Sequence, residues 1–293
     1  MTSSKLLVTG ASGQLGRQVL ELLLATHAGA IIATSRSPEK LADLRARGVE
    51  VRAANFDDEA GLKAAFTGAE RALLISTDTL GVPGQRLAQH QAAVRAFESA
   101  GVQHVVYTSL VNPVASPILF APDHAGTEAA LTASGLDFTV LRNNLYTDLS
   151  LHAVAGAVAS GQLIDSRARG AVAFVTREDC GRSAAAALAD RNASGRRTLD
   201  VTGPESLTSE HIASLLSELS GKKITHVSVP LEALVQGMVQ HGLPEPLAKI
   251  YASIDVSIAR GDLASVSNTV TELTGRAPRT VREFLTANRA AFS

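Results

Sequence analysis

The apolar positions of the first half of the chain fall into short blocks separated by longer amphipathic runs. Residues 5–9 (Lys-Leu-Leu-Val-Thr), 30–35, 50–54, 72–76, 104–108 and 137–141 are compact apolar segments with the length of buried strands. Between them, residues 14–26, 38–47, 59–66, 85–100 and 123–134 read as helices; Leu15, Val19, Leu22 and Leu23 set helical spacing in the first. Gly101 and Gly135 follow the fourth and fifth of these runs, where helices commonly end. Strands alternating with helices predict parallel pairing, hence a doubly wound α/β sheet.

After about residue 141 the rhythm loosens. Residues 148–160, 178–190, 231–241, 244–259 and 281–291 read as helices, and 197–202 and 225–229 as strands. Residues 208–220 form a further helix, with Thr208 as N-cap and Gly221 as terminator. The expected division is a sheet domain over 1–145 and a smaller α/β C-terminal lobe over 146–293. That lobe would cap the sheet, with some of its segments returning to it.

The junction of the first strand and first helix carries the chemistry. Gly10-Ala11-Ser12-Gly13-Gln14-Leu15-Gly16 links them with GxxGxxG spacing. Strand, glycine turn and helix in that order define a dinucleotide-phosphate site and a Rossmann fold. Gly10 permits the tight turn, Gly13 lets backbone approach a diphosphate, and Gly16 lets the helix pack on the strand. Ser12, Gln14 and Leu15 complete the cradle, whose helix N-terminus attracts anions. Arg17 follows Gly16, so the Gly-Lys-Ser/Thr ending of a nucleoside-triphosphate loop is absent.

Selectivity within the dinucleotides is read at the end of the second strand. NAD sites usually carry an acid there; this chain has Ser35-Arg36-Ser37, with Lys40 nearby. Arg36 stands where a ribose 2′-phosphate would sit, which favours NADPH (NADP) as cofactor. Asp57, past the third strand, is placed to accept from the adenine amine, or else Asp57 or Asp58 caps the next helix. Ser76 and Thr77 after the fourth strand, and Ser109 after the fifth, lie at carboxyl ends that face the ligand crevice.

Composition narrows the classes. The chain has 293 residues, 45% of them apolar, and a formal net charge of −1, so no basic field points to nucleic acid. One cysteine, Cys180, rules out an internal disulfide framework and any multi-cysteine metal site. No apolar stretch approaches the length of a membrane span, and Met-Thr-Ser-Ser leads straight into a strand without a signal peptide. A cytoplasmic protein is expected.

Several familiar chemistries are missing. Carbonyl reductases of the short-chain type pair a Tyr with a Lys four residues on. Here Tyr107 is followed at that distance by Val111, Tyr146 by Ser150 and Tyr251 by Asp255. There is no Gly-x-Ser-x-Gly elbow and no His-Glu-x-x-His helix. His124 and Glu128 are four apart, but two ligands are too few, and no metal is expected.

The motifs Val8–Gly16 (in numbers, 8–16), Leu73-Leu74-Ile75-Ser76, Val106-Tyr107-Thr108-Ser109-Leu110, Asp123-His124-x-x-Thr127-Glu128, Leu141-Arg142-Asn143-Asn144-x-Tyr146 and Thr176-Arg177-Glu178-Asp179 together resemble the NmrA-like atypical short-chain dehydrogenase/reductases. Within them the chain is most similar to the type 2 NAD(P)H:quinone oxidoreductases, with triphenylmethane reductase nearby. Those quinone reductases commonly place Gly where this chain has Asn144. The resemblance implies hydride transfer from NADPH directly to a small-molecule acceptor, a quinone or similar conjugated ring, without flavin; a homodimer is compatible with it. It places His124 roughly where the catalytic Lys would stand, as a proton donor titrating near neutral pH, the other reading being a helix-surface histidine. Asn143 and Tyr146 would line the acceptor pocket, or else pack between lobes and satisfy loop backbone. Two other functions fit the resemblance: a non-catalytic redox sensor that binds NADP(H), and a reductase of another acceptor such as a dye, an imine or an activated alkene.

Overall fold

Leu6–Val8 forms β1, whose three residues are wholly buried and pair in parallel on both sides. The computed structural model describes residues 4–292. After β1 come α1 (Gln14–Thr26), β2 (Ile31–Ser35), α2 (Ala42–Ala46), β3 (Glu50–Ala53), α3 (Glu59–Phe66), β4 (Arg71–Leu74), α4 (Gln85–Ser99), β5 (His104–Leu110), α5 (Ala121–Ala133) and β6 (Asp137–Asn143). The chain continues through α6 (Leu151–Ser160), β7 (Gln162–Asp165), β8 (Ala171–Val172), α7 (Arg177–Ala189), β9 (Arg196–Val201), β10 (Leu207–Thr208), α8 (Ser209–Ser220) and β11 (Thr225–Ser228). It ends with α9 (Leu231–Gln240), α10 (Glu245–Ala259), α11 (Thr269–Thr274) and α12 (Val281–Ala287).

Seven strands form one sheet in the order β3-β2-β1-β4-β5-β6-β9. β1 pairs with β2 and β4, β2 with β3, and β4 with β5, all in parallel. The chain therefore runs outward from β1 to β3, then restarts on the other side of β1 at β4. That reversal is the switch point at which doubly wound sheets bind ligands. The expected α/β sheet is the observed one, with β9 joining it from the second half of the sequence.

The chain divides into two units. The first comprises residues up to Leu110, Asp123–Arg142 and Cys180–Leu199; the second comprises Val111–Pro122, Asn143–Asp179 and the residues from Asp200 onward. The first unit's core runs from Leu7 and Ile32 through Leu62, Phe66, Phe97, Val105 and Tyr107 to Phe138. Phe66 and Phe97 stack at 4.3 Å between α3 and α4. Arg71, at the buried start of β4, donates to the carbonyls of Leu188 (2.8 Å), Ala187 (3.2 Å) and Ala193 (3.2 Å). It thereby satisfies carbonyls that the end of α7 leaves without intrahelical donors.

The second unit is built from shorter pieces. β11 pairs in parallel with β7, and β10 pairs antiparallel with β8. α8 starts on a capping box in which the Thr208 side chain and His211 satisfy each other's backbone N–H, and it ends at Gly221 with φ +73. Asp165, buried at the end of β7, accepts from Ser209 and bonds His226 Nε2 at 2.8 Å.

Three expected helices differ in detail, and the last of them, 281–291, ends as a helix at Ala287 and continues as a 3₁₀ turn over Arg289–Ala291. Residues 38–47 split into a 3₁₀ turn (Pro38–Leu41) and the short α2, and 147–150 form a 3₁₀ turn before α6. Such tightened first turns are common where no side chain caps the helix, and none caps either turn here.

Candidate active site

The glycine turn has the shape a diphosphate requires. Gly10 adopts φ +59, a left-handed conformation that strains other residues. Its carbonyl accepts from Gly13 N at 2.9 Å and closes the turn. A Cβ on Gly16 would collide with that carbonyl, so only glycine lets α1 start this close to β1. α1 has Gly13 as N-cap and no side chain capping it, which leaves its first N–H groups for an anion. Gly10, Ser12, Gly13 and Gln14 form the exposed arc, while Leu15 and Gly16 are buried and offer backbone only. Ser12 Oγ lies 2.9 Å from Ser35 Oγ, tying the turn to the end of β2.

Arg36 projects from that strand end with its side chain 71% exposed. Among the described residues its ion-pair partner is Asp78 at 3.9 Å, a loose solvent-exposed pair of little energetic weight. Asp58 caps α3, accepting from Gly61 N at 3.1 Å, so Asp57 is not spent on that cap. Asp57 Oδ1 instead accepts from the side-chain amides of Gln89 (3.0 Å) and Gln85 (3.2 Å), which hold its carboxyl below the usual range.

The exits of β4 and β5 are tied down by side chains. Ile75 N donates to Thr9 Oγ1 (2.9 Å), Ser76 N to Thr108 Oγ1 (3.0 Å) and Thr77 N to His90 Nε2 (2.9 Å). Arg86 Nε donates to the Thr77 carbonyl at 2.7 Å. Ser109 donates to Glu128 Oε1 at 2.6 Å, and Arg142 grips both oxygens of Glu128 at 3.0 and 2.6 Å.

His124 is not the titrating group the resemblance implied. It is 4% exposed, with Arg86 Nη2 at 3.0 Å from Nε2 and Tyr107 Oη at 2.8 Å from Nδ1. A guanidinium only donates, so Nε2 accepts and Nδ1–H donates to Tyr107. Burial and the adjacent Arg86 hold its pKa well below the ordinary 6.5. His124 therefore stays neutral at pH 7 and has no proton to spare for a substrate. Nor is it a helix-surface residue. His124 and Glu128 are each engaged by different partners and do not converge on a metal.

In the second unit, Asn143 Nδ2 donates to Tyr146 Oη at 3.0 Å, and Asn143 Oδ1 is buried without a hydrogen-bond partner. The segment is pinned at Leu145 O by Val175 N (3.1 Å) and at Thr147 N by Val175 O (2.9 Å). Asn144 is 3% exposed; its amide donates to Leu263 O and accepts from Leu145 N, so it braces backbone. The Arg177 guanidinium lies 5.5 Å from the centre of the Tyr146 ring. Asp148 accepts from both Arg177 N (2.8 Å) and Arg177 Nη1 (3.0 Å).

Arg86, His90 and the Asp148–Arg177 pair were not singled out from the sequence. Arg86 and His90 had a signal, being polar, four apart and so on one face of α4, and that face is buried.

The chain belongs to the NmrA-like family, whose model matches residues 2–285. It is 35% identical to quinone oxidoreductase 2 of Escherichia coli (strain K12) over 277 residues, 94% of this chain and 96% of that protein. Among solved structures, an E. coli NADPH-dependent quinone oxidoreductase complexed with NADPH superposes with a TM-score of 0.92 at 34% identity, covering 97% of this chain and 99% of the other. The Citrobacter sp. triphenylmethane reductase complexed with NADP(H) gives a TM-score of 0.90 at 33% identity with the same coverage.

Proposed function

We propose that this protein is an NADPH-dependent reductase that transfers hydride directly to a quinone or a similarly flat, conjugated small molecule. The observation that carries this reading is the uncapped α1 N-terminus behind the Gly10–Gly13–Gly16 turn, with Arg36 exposed at the end of β2. Similarity to reductases of quinones and of triphenylmethane dyes, over nearly the whole chain, supports the acceptor class.

The residues fit that coenzyme. The turn and the first N–H groups of α1 would hold its diphosphate, and the glycines leave room for it. Arg36 would fork the 2′-phosphate, and Asp57 would take the adenine amine. Ser76, Thr77 and Ser109 would border the nicotinamide half. When bound, the coenzyme supplies a hydride from its reduced nicotinamide ring.

The protein's own part is orientation and one proton. A quinone is already electrophilic, and its reduced oxyanion is phenolate-like, so a strong acid pair is unnecessary. We assign the proton to Tyr146. Asn143 donates to its oxygen at 3.0 Å, which fixes the position of the phenol. The same amide stabilises the phenolate left behind. His124, held neutral with both nitrogens engaged, is excluded from that step.

The decisive assay follows loss of the NADPH absorbance band with and without substituted benzoquinones. Rapid acceptor-dependent oxidation is expected. Tight NADPH binding without turnover, across quinones and triphenylmethane dyes alike, would instead identify a dinucleotide sensor.

A further inference from the structure

The exit of β4 has used up its own peptide groups. The N–H groups of Ile75, Ser76 and Thr77 each meet a side-chain acceptor from a different element: Thr9 in the turn, Thr108 in β5 and His90 in α4. This shelf therefore offers a ligand no peptide N–H, and it cannot hold a phosphate as the α1 turn does. It offers hydroxyls and a fixed surface, which suits the uncharged part of a dinucleotide. The strand order agrees. Arg36 and Asp57 follow β2 and β3 on one side of the switch point, and Ser76 and Thr77 follow β4 on the other. A dinucleotide straddling that point places its two halves on the two sides.

Resting on the NADPH reading above, we propose that Arg86 and His90 are positioning residues for the nicotinamide half of the coenzyme, acting through the backbone on both sides of Thr77. Arg86 holds the Thr77 carbonyl at 2.7 Å, and His90 holds its N–H at 2.9 Å. Those groups lie in the two peptides that flank the Thr77 Cα, so the planes on both sides are held, and the Thr77 side chain is aimed by side chains of a neighbouring helix.

The grip is itself oriented. Thr127 spends its hydroxyl hydrogen on Asp123 O at 2.6 Å, so it accepts from His90 Nδ1 at 2.9 Å. His90 is thus the Nδ1–H tautomer, the one that leaves Nε2 free to accept from Thr77. Arg86 is steadied by His124 at 3.0 Å, which is steadied in turn by Tyr107 at 2.8 Å. The bonds made by Thr127, His90 and His124 each have a fixed sense, so reversing one would break the next. Two polar side chains four apart on α4 thereby convert helix packing into the placement of one residue.

The test compares two ligands on the intact protein. NADPH spans both halves of the site; adenosine 2′,5′-bisphosphate occupies only the half read by Arg36 and Asp57. His90→Leu is expected to weaken NADPH by about threefold to tenfold, the range of one neutral hydrogen bond, and to leave the bisphosphate unchanged. His90→Gln, which retains an acceptor at similar reach, should recover most of the loss. Thr127→Val removes the bond that orients His90, together with the hydroxyl's own bond to Asp123 O, and serves if His90→Leu does not fold. Equal losses for both ligands would overturn the proposal, since a merely structural role damages both halves alike. Unchanged NADPH affinity in a folded His90→Leu variant would also overturn it. Failure of the unmodified protein to bind either ligand would overturn the coenzyme reading itself.

Discussion

The two units satisfy their buried histidines in opposite ways. In the first, His90, His104 and His124 bond to the hydroxyls of Thr127, Thr139 and Tyr107, His124 also accepts from the Arg86 guanidinium, and none of the three bonds a carboxylate among the described residues. In the second, His226 sits between Asp165 (2.8 Å) and Glu210 (3.3 Å). The difference suits a unit whose proposed ligand brings its own negative charge. Carboxylates beside these imidazoles would repel a phosphate and titrate with it, whereas hydrogen bonds of fixed sense do neither. Imidazoles held neutral by burial leave the first unit vulnerable to acid.

The largest expected effect follows directly. Burial holds His90 at about 3 and His104 at about 4, against 6.5 in the unfolded chain, and His124 is displaced the same way. The unfolded state therefore binds more protons, so stability is full above about pH 6.5 and is lost as pH falls toward the folded values. His90 and His104 alone should cost about 4 kcal/mol between pH 7 and pH 5. Urea unfolding across that interval measures it, and His104→Gln should remove about half. A flat stability profile between these pH values would contradict imidazoles held neutral by burial.

Arg71 extends the same theme, because among the described residues its hydrogen bonds go to three carbonyls and not to an acid. Arg71→Met should lower stability by about 3 kcal/mol, since buried carbonyls at the end of α7 lose their donors. A shift well under 1 kcal/mol would show that water replaces them. Tyr146→Phe probes the other unit. It should lower kcat by about a hundredfold if the phenol delivers the proton, with little change in Tm. Unchanged turnover would transfer that role to water.

How much of this was readable differed between the units for a physical reason. In the first, short apolar blocks alternate regularly with helical runs, and the glycine turn announces itself locally. Residues 14–26 and 59–66 are helices with the expected limits. In the second, β8 and β10 have two residues each and exist only through pairing with each other, across a separation no period reveals. The site divides similarly. Gly10, Gly16 and Arg36 could be read from strand-turn-helix order. The neutrality of His124 could not, because it depends first on burial and then on Arg86, which is 38 residues away in sequence and brought alongside only by the packing of α4 and α5. The choice between Asp57 and Asp58 as helix cap likewise needed the observed bond from Gly61.

The smallest effect proposed tests the one exposed charge on which coenzyme choice rests. Arg36 is mostly solvated and its pair with Asp78 is long, so removing it should cost the fold almost nothing. What it would contribute appears only when a 2′-phosphate arrives. Arg36→Gln should then weaken NADPH by about tenfold while leaving NADH within error, because a charge-assisted bond contributes roughly 1.5–3 kcal/mol before solvent competes for it. Raising the salt concentration should narrow the gap for the unmodified protein and not for the variant. Asp78→Asn supplies the opposite sign: with the nearby carboxylate neutralised, NADPH should bind slightly tighter and NADH should not change. Parallel losses of both coenzymes in Arg36→Gln would mean that the end of β2 shapes the adenine site rather than reading the phosphate.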